Sequence, residues 1–356
     1  MELFITIIAF ILIFGLLIFV HELGHFLVAK RNGIKVEEFA FGLPLLPKLF
    51  GVKRGETTYS IYPVPLGGFV KMLGEEGNSK SKRSFATKPA STRARVLLAG
   101  VTMNFLLAFV LLTVGFAFKM DPLALCARDY PNATYQNNVT VSAVSESGTA
   151  KQAGIQTADT IRRIEGNTVN CQTEVPKLLE RRANQPTVVG IERSGQALEL
   201  TVTPNASGKV GVAPRDDYQS LDYPRWEAPY LAAIETVAAT GATIRGIGDV
   251  FTQLFTRATV PEGVAGPVGI AKLTGEIVTL GPIVILRFIA VISLSLAIFN
   301  LLPIPALDGG RLLFVGIEAL RGGRPISPKV ENAVHAAGFA FLIGLILFIT
   351  YFDITR

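Results

Sequence analysis

Two histidines four residues apart, with a glutamate directly after the first, stand at His21-Glu22-Leu23-Gly24-His25. On a helix this spacing sets both imidazoles on one face, one turn apart, where they can hold a single zinc ion. The glutamate then faces the water that such a metal would activate. The chain has 3 histidines, and two of them fall in this pattern; a chance occurrence is on the order of 10⁻³ per chain. A hydrolytic zinc site also needs a third protein ligand and an open fourth position. Spacing alone offers Glu37 and Glu38, expected in an exposed loop after Gly33, and His335, expected at the end of an apolar span, where an interfacial role is the default. The strongest candidate is Asp308, in Asn300-Leu-Leu-Pro303-Ile-Pro305-Ala-Leu307-Asp308-Gly309-Gly310. Two prolines break the chain there, and non-helical backbone at membrane depth is tolerated only where protein or a water-filled cavity satisfies it. The plainer reading is an aspartate that caps the turn before Gly309-Gly310.

The elements that must position these groups are apolar. Of 356 residues 49% are hydrophobic and 17% charged, against about 25% charged in a soluble globular domain. Residues 3–20, 96–118, 283–302 and 333–351 approach the roughly 20 residues needed to cross a bilayer as a helix. The reading is a polytopic α-helical membrane protein with four transmembrane helices. The first span is not a removable signal peptide, because Met-Glu precedes it, no small-residue cleavage site follows, and the histidine motif continues from it. Ionisable groups in that position are costly and mark a functional interior. The net charge of +6 does not point to nucleic acid, because the basic residues cluster between spans. Residues 30–95 carry Lys30, Arg31, Lys35, Lys80, Arg83 and others against five carboxylates, and Arg311, Arg321, Arg324 and Lys329 enrich the loop between spans three and four. The positive-inside rule places both loops in the cytoplasm, and both termini and residues 119–282 outside.

That outer segment alternates in short runs from about residue 138 to 214, punctuated by Glu165-Gly166-Asn167 and Arg193-Ser194-Gly195. This is the pattern of a small strand-rich domain. Residues 148–166 resemble the helix-turn-strand core of a bacterial PDZ domain, with Ala158-Asp159 where Gly-Asp is usual. Two cysteines, Cys126 and Cys171, lie in the same segment, and one bridge between them is permitted there. Tyr230, Leu231, Ile234, Val237, Ile244, Ile247, Phe251 and Leu254 then recur at near-helical spacing. They predict an amphipathic helix, broken near Gly246-Ile-Gly248, on the membrane surface or against the protein. The expected domains are 1–118, with two spans and the zinc motif; 119–225, PDZ-like; 226–282, a helical linker; and 283–356, two spans and the third-ligand motif.

The histidine motif, the Asn300…Asp308-Gly309 motif and the four-span layout resemble the site-2 protease family of intramembrane zinc metalloproteases. The single PDZ-like insert is similar to the bacterial RseP-type branch, whose larger members carry two. Phe39-Ala-Phe-Gly42, Pro65-Leu-Gly67-Gly68-Phe-Val70, Gly100-x-x-x-Asn104 and Gly266-Pro-Val-Gly-Ile270 agree with it. The resemblance implies one Zn2+ held by His21, His25 and Asp308, and Glu22 as general base that passes the proton to the leaving amine. It implies Asn300 on the substrate backbone or oxyanion, Asn104 lining the same cavity, and Gly67 and Gly68 in a strand that pairs with the unwound substrate. Its substrates would be single-pass membrane proteins, such as anti-sigma factors or remnant signal peptides, in a bacterial inner membrane, with a peptide end as ligand of the PDZ-like domain. Two other classes compete. A membrane scaffold with a vestigial metal site would lack Glu22 or a ligand, and all are present. A surface protease cutting soluble or prenylated tails would want the motif in a polar segment.

Overall fold

A computed structural model describes residues 2–75, 79–257, 265–323 and 326–355. Arg324 and the side chain of Leu254 lie outside the described residues. The chain forms two compact units, one of Met1–Leu112 with Ala239–Arg356 and one of Thr113–Ala238.

In the first unit α1 (Glu2–Arg31) leads into β1 (Val36–Leu43), β2 (Phe50–Arg54), β3 (Thr57–Ile61) and β4 (Val64–Met72), followed by α2 (Ala90–Ala117), which runs on into the second unit. The strands form one sheet in the order β2-β3-β1-β4, with β1 parallel to β3 and antiparallel to β4. The sheet doubles back along α1: the Phe41 ring packs on Gly15, and Phe39 meets Phe19 and Phe26 edge to face. Phe41 is therefore level with a point about 9 Å along the helix from His21, on the N-terminal side. Val36, Phe39, Val70 and Met72 of the sheet share a buried core with Ala29, Val96 and Leu97 of the helices.

The second unit holds β5 (Thr134–Val144), α3 (Thr149–Gln152), β6 (Thr160–Ile164), β7 (Asn167–Thr168), α4 (Glu174–Glu180), β8 (Thr187–Arg193), β9 (Gln196–Val202) and β10 (Val212–Asp222). They make a sheet of order β10-β5-β6-β8-β9, with β7 on β6, over a core of Val139, Val141, Ile161, Ile164, Val189 and Ile191. Two-residue turns at Glu165-Gly166 and Ser194-Gly195 have positive φ at both positions. That is the hairpin geometry whose twist matches the strands. Ala158 takes φ +73° where a glycine would be unstrained. Cys126 and Cys171 are joined by a disulfide.

The remaining elements are α5 (Ala228–Arg257), α6 (Pro267–Val278), α7 (Pro282–Leu301), α8 (Asp308–Leu320) and α9 (Pro328–Thr355). The break expected near Gly246–Gly248 does not occur, because α5 is continuous. A glycine costs only about 1 kcal/mol in a helix interior. Its buried face also differs from the expected stripe: Leu231, Ala232 and Glu235 are buried, while Tyr230, Val237 and Ile244 are exposed. Among the described residues, four helices are long and apolar enough to cross a membrane: α1, α2, α7 and α9. They leave apolar side chains such as Leu12, Leu106, Val291 and Leu347 exposed, as helices bathed in lipid do. The architecture is that of a multi-pass membrane protein with an inserted β-rich unit.

Candidate metal centre

The first span does not stop at residue 20. The helix continues to Arg31, so His21, Glu22 and His25 sit within it. The Nε2 atoms of His21 and His25 are 3.2 Å apart. Asp308 Oδ2 lies 3.0 Å from His21 Nε2 and 3.2 Å from His25 Nε2. A tetrahedral zinc with bonds of roughly 2.0–2.2 Å keeps its ligand atoms about 3.3–3.6 Å apart, so this triangle is close to the size that the ion requires. Among the described residues, no other three His, Cys, Asp or Glu side chains converge in this way.

Asp308 reaches the histidines because the chain turns sharply between α7 and α8. Leu302, before Pro303, is extended at φ −61° and ψ 142°, as the residue preceding a proline is biased to be. Asp308 then opens α8, and its carboxylate is turned to His21 and His25 of α1. The plainer reading of Asp308 as a turn cap does not describe its contacts. The other candidates have different partners. Glu37 and Glu38 lie in β1 rather than in a loop; Glu38 accepts from Ser60 and Tyr62, and Glu37 faces Lys35. The strand swings them away from the motif that they follow in sequence. His335 lies inside α9, where its Nδ1 accepts from the Ala306 backbone N–H at 2.8 Å.

The imidazoles are oriented from behind. His25 Nδ1 donates to the Val96 carbonyl at 2.8 Å, which leaves Nε2 free to ligate. His21 Nδ1 faces the Asn104 amide at 3.4 Å. Among the described residues the Asn104 oxygen has no hydrogen-bond partner, and the amide turned to present it to Nδ1–H leaves His21 Nε2 free as well. Asn104 is held in turn by Ser293, whose hydroxyl donates to its backbone carbonyl at 2.8 Å. Gly100, one turn before Asn104, has no room for a side chain: a Cβ would fall 2.4 Å from His25 Nε2. Gly24 likewise lets α1 approach α2, since a Cβ there would sit 2.4 Å from the Ala99 carbonyl oxygen. The Gly100-x-x-x-Asn104 spacing is thus one helix face that admits two imidazoles and steadies one of them.

These groups line a cavity of about 410 Å³ together with Glu22, Gly68, Asn300 and Arg311. The Asn300 amide makes no hydrogen bond to another described side chain. β4 is an outer strand of its sheet and passes beside Glu22, whose Cγ a Cβ on Gly68 would approach to 3.2 Å. Gly67 packs on Leu43 and does not line the cavity. Local spacing gave no signal for the Arg311–Glu75 ion pair at the cavity wall or for the 2.5 Å Arg93–Glu318 pair that ties α2 to α8. Their partners are 236 and 225 residues apart.

A histidine pair on a membrane-length helix, an aspartate delivered by the break between α7 and α8, and a cavity bordered by an outer strand define a membrane metallopeptidase. The chain belongs to peptidase family M50, whose family model matches residues 9–345. It is 37% identical over 97% of both chains to a Clostridium perfringens protein named as a predicted zinc metalloprotease. It is also 31% identical to the zinc metalloprotease RasP of Geobacillus kaustophilus and 30% identical to the regulator of sigma-W protease RasP of Bacillus subtilis. Each of those alignments covers 99% of this chain and 98% of the relative. The chain is therefore a zinc metalloprotease, with Zn2+ as its cofactor.

Proposed function

We propose that the protein performs site-2 cleavage: it hydrolyses a peptide bond of a single-pass membrane protein within the bilayer. The observation that carries this reading is the position of the donor triangle, on a helix long and apolar enough to span a membrane and beside the outer strand β4. His21, His25 and Asp308 hold the zinc, which supplies Lewis-acid polarisation of the scissile carbonyl and of water when bound. Glu22 takes a proton from the attacking water and returns it to the leaving amine nitrogen. Asn300 faces the cavity and donates to the substrate backbone or to the developing oxyanion. Asn104 orients His21. A substrate helix has no free backbone groups, so it must unwind; the edge of β4 then offers it a ladder, with Gly68 clearing space beside Glu22.

In this reading the loops rich in Lys and Arg face the cytoplasm of a bacterial inner membrane, and the termini and the PDZ-like β unit lie outside. The Cys126–Cys171 bridge suits an oxidising compartment. The sigma-W regulator among the relatives supports an anti-sigma factor as substrate, with remnant signal peptides as the second class. A peptide end is the ligand of the PDZ-like unit. The test uses purified full-length protein in proteoliposomes with a single-pass reporter, the cut mapped by mass spectrometry. A chelator-sensitive cut inside the apolar span is expected. A cut confined to the polar flanks would overturn the reading in favour of a surface protease.

A further inference from the structure

We propose that His335 is a positioning residue: it fixes the loop that delivers Asp308 by accepting the Ala306 backbone N–H. This rests on Asp308 being a zinc ligand.

The loop between α7 and α8 is irregular, and its backbone groups have few regular partners. Leu307 N–H reaches the Ile304 carbonyl at 3.2 Å, and Ile304 N–H makes a tight turn to the Leu302 carbonyl at 2.7 Å. Ala306 stands two residues before Asp308 with φ +79°, a conformation disfavoured for any residue with a Cβ. Its N–H donates to His335 Nδ1 at 2.8 Å. At membrane depth such a group is tolerated only where protein or a water-filled cavity satisfies it, and here a side chain 29 residues away does so. Because Nδ1 accepts, the ring proton sits on Nε2.

A second contact from the same helix face supports the assignment. Gly338, three residues after His335, abuts Pro305: a Cβ there would fall 2.4 Å from Pro305 Cβ and 2.5 Å from its carbonyl oxygen. Residues three apart on a helix share a face. α9 therefore presses one small residue and one acceptor against consecutive loop residues, Pro305 and Ala306. The His335 ring is itself held by Phe314 of α8, at 5.3 Å between centroids. α9 gives no atom to the donor triangle, yet it templates the segment that carries the third ligand. Groups that orient a ligand from behind change metal affinity or activity by about 10–100-fold when lost.

Three variants test this in full-length protein. His335→Leu keeps bulk and removes the acceptor, His335→Asn places an acceptor oxygen near the Nδ1 position, and Gly338→Val pushes on Pro305. Zinc affinity, kcat per zinc-loaded enzyme and KM are measured, with amide exchange across residues 303–308 in the metal-free protein. His335→Leu and Gly338→Val should weaken zinc binding and lower kcat about 10-fold or more at unchanged KM. Amide exchange should quicken in His335→Leu, and His335→Asn should stay close to wild type in all readouts. Wild-type exchange and zinc affinity in His335→Leu would overturn the proposal. So would an Asn variant as impaired as the Leu variant, because ring packing would then be what matters. Asp308→Ala separates the two claims: if it keeps full zinc affinity, the ligand assignment fails, whereas the exchange experiment still reads the Ala306 bond.

Discussion

Glu235 in the second unit and Asp308 in the first each set a carboxylate against several fixed partners, and the two are used in opposite ways. Glu235, in the second unit, is completely buried. It accepts the backbone N–H groups of Leu123, Ala124 and Leu125 at 3.0, 2.7 and 3.4 Å and the Tyr130 hydroxyl at 2.8 Å. Three of these fixed donors converge on Oε1 and one on Oε2, so both oxygens of the carboxylate are engaged. Burial, reinforced by the negative Glu235, pushes the Tyr130 phenol well above its ordinary range, so it stays a donor. Asp308, in the first unit, keeps 19% of its side chain exposed and meets imidazole nitrogens at the wall of a cavity. Its neighbours are themselves acceptors once their protons leave. Chemistry requires such a site: donors to a cation that converge and cannot saturate one another. Glu235 does the reverse, and it anchors α5 to the chain that follows α2.

Breaking the functional side of that contrast should give the largest effect. Glu22→Gln keeps the size of the residue and removes the base. Turnover of a membrane reporter should fall by about 10²–10⁴-fold or more, while zinc content stays at wild type. Undiminished turnover would assign the proton transfer elsewhere. Asp308→Ala should cost zinc affinity instead, with zinc per chain by elemental analysis falling well below one; ligand loss is costly because metal binding and site formation are linked. Neither change should alter the cooperative unfolding of the second unit.

Much of this was legible in the sequence, for identifiable reasons. His21-Glu22-Leu23-Gly24-His25 is a local pattern, and local patterns on helices survive folding. Pro303 and Pro305 announce a break, and a break beside an apolar span restricts what an aspartate can be doing there. Glu165-Gly166 and Ser194-Gly195 are turns whose backbone demands show in the residue types. What stayed hidden depends on contacts distant in sequence. Glu235 sits off the apolar stripe of its helix, yet it is buried because its partners lie 105–112 residues upstream. Glu37 and Glu38 looked like loop residues because their strand is completed by β3 and β4. β10 reads as a polar stretch, since its alternation sets Pro214, Asp216 and Tyr218 among exposed residues. The reason for glycine at position 100 is an imidazole on another helix.

The structural side of the contrast breaks more gently. Glu235→Ala orphans three N–H groups and a hydroxyl, at about 1–3 kcal/mol each before relaxation. A loss of about 3 kcal/mol in the second unit is expected, read as faster amide exchange in β5 and β6, with zinc content unchanged. Lost zinc at full occupancy of the fold would show that the carboxylate serves the metal after all.

The smallest effect concerns a third carboxylate, which sharpens the contrast by titrating. Asp159 follows the left-handed Ala158 and keeps only 1% of its side chain exposed. It accepts Nε and Nη2 of Arg193 at 2.7 Å each and the Gln156 N–H at 2.8 Å. Burial alone would raise its pKa, but the Arg193 fork and the Gln156 N–H outweigh it and hold the carboxyl below its usual range. A folded value below the unfolded one, about 3.9, means that the unfolded chain binds more protons under acid conditions. The pair therefore stabilises the unit fully above about pH 4–5, and the contribution fades as pH falls through the folded value. Asp159→Asn should cost about 1–3 kcal/mol at pH 7, and the gap to wild type should narrow toward pH 3, measured by amide exchange in β6 and β8 corrected for intrinsic rates. A gap that is constant across that range would mean that Asp159 acts by shape alone, without its charge.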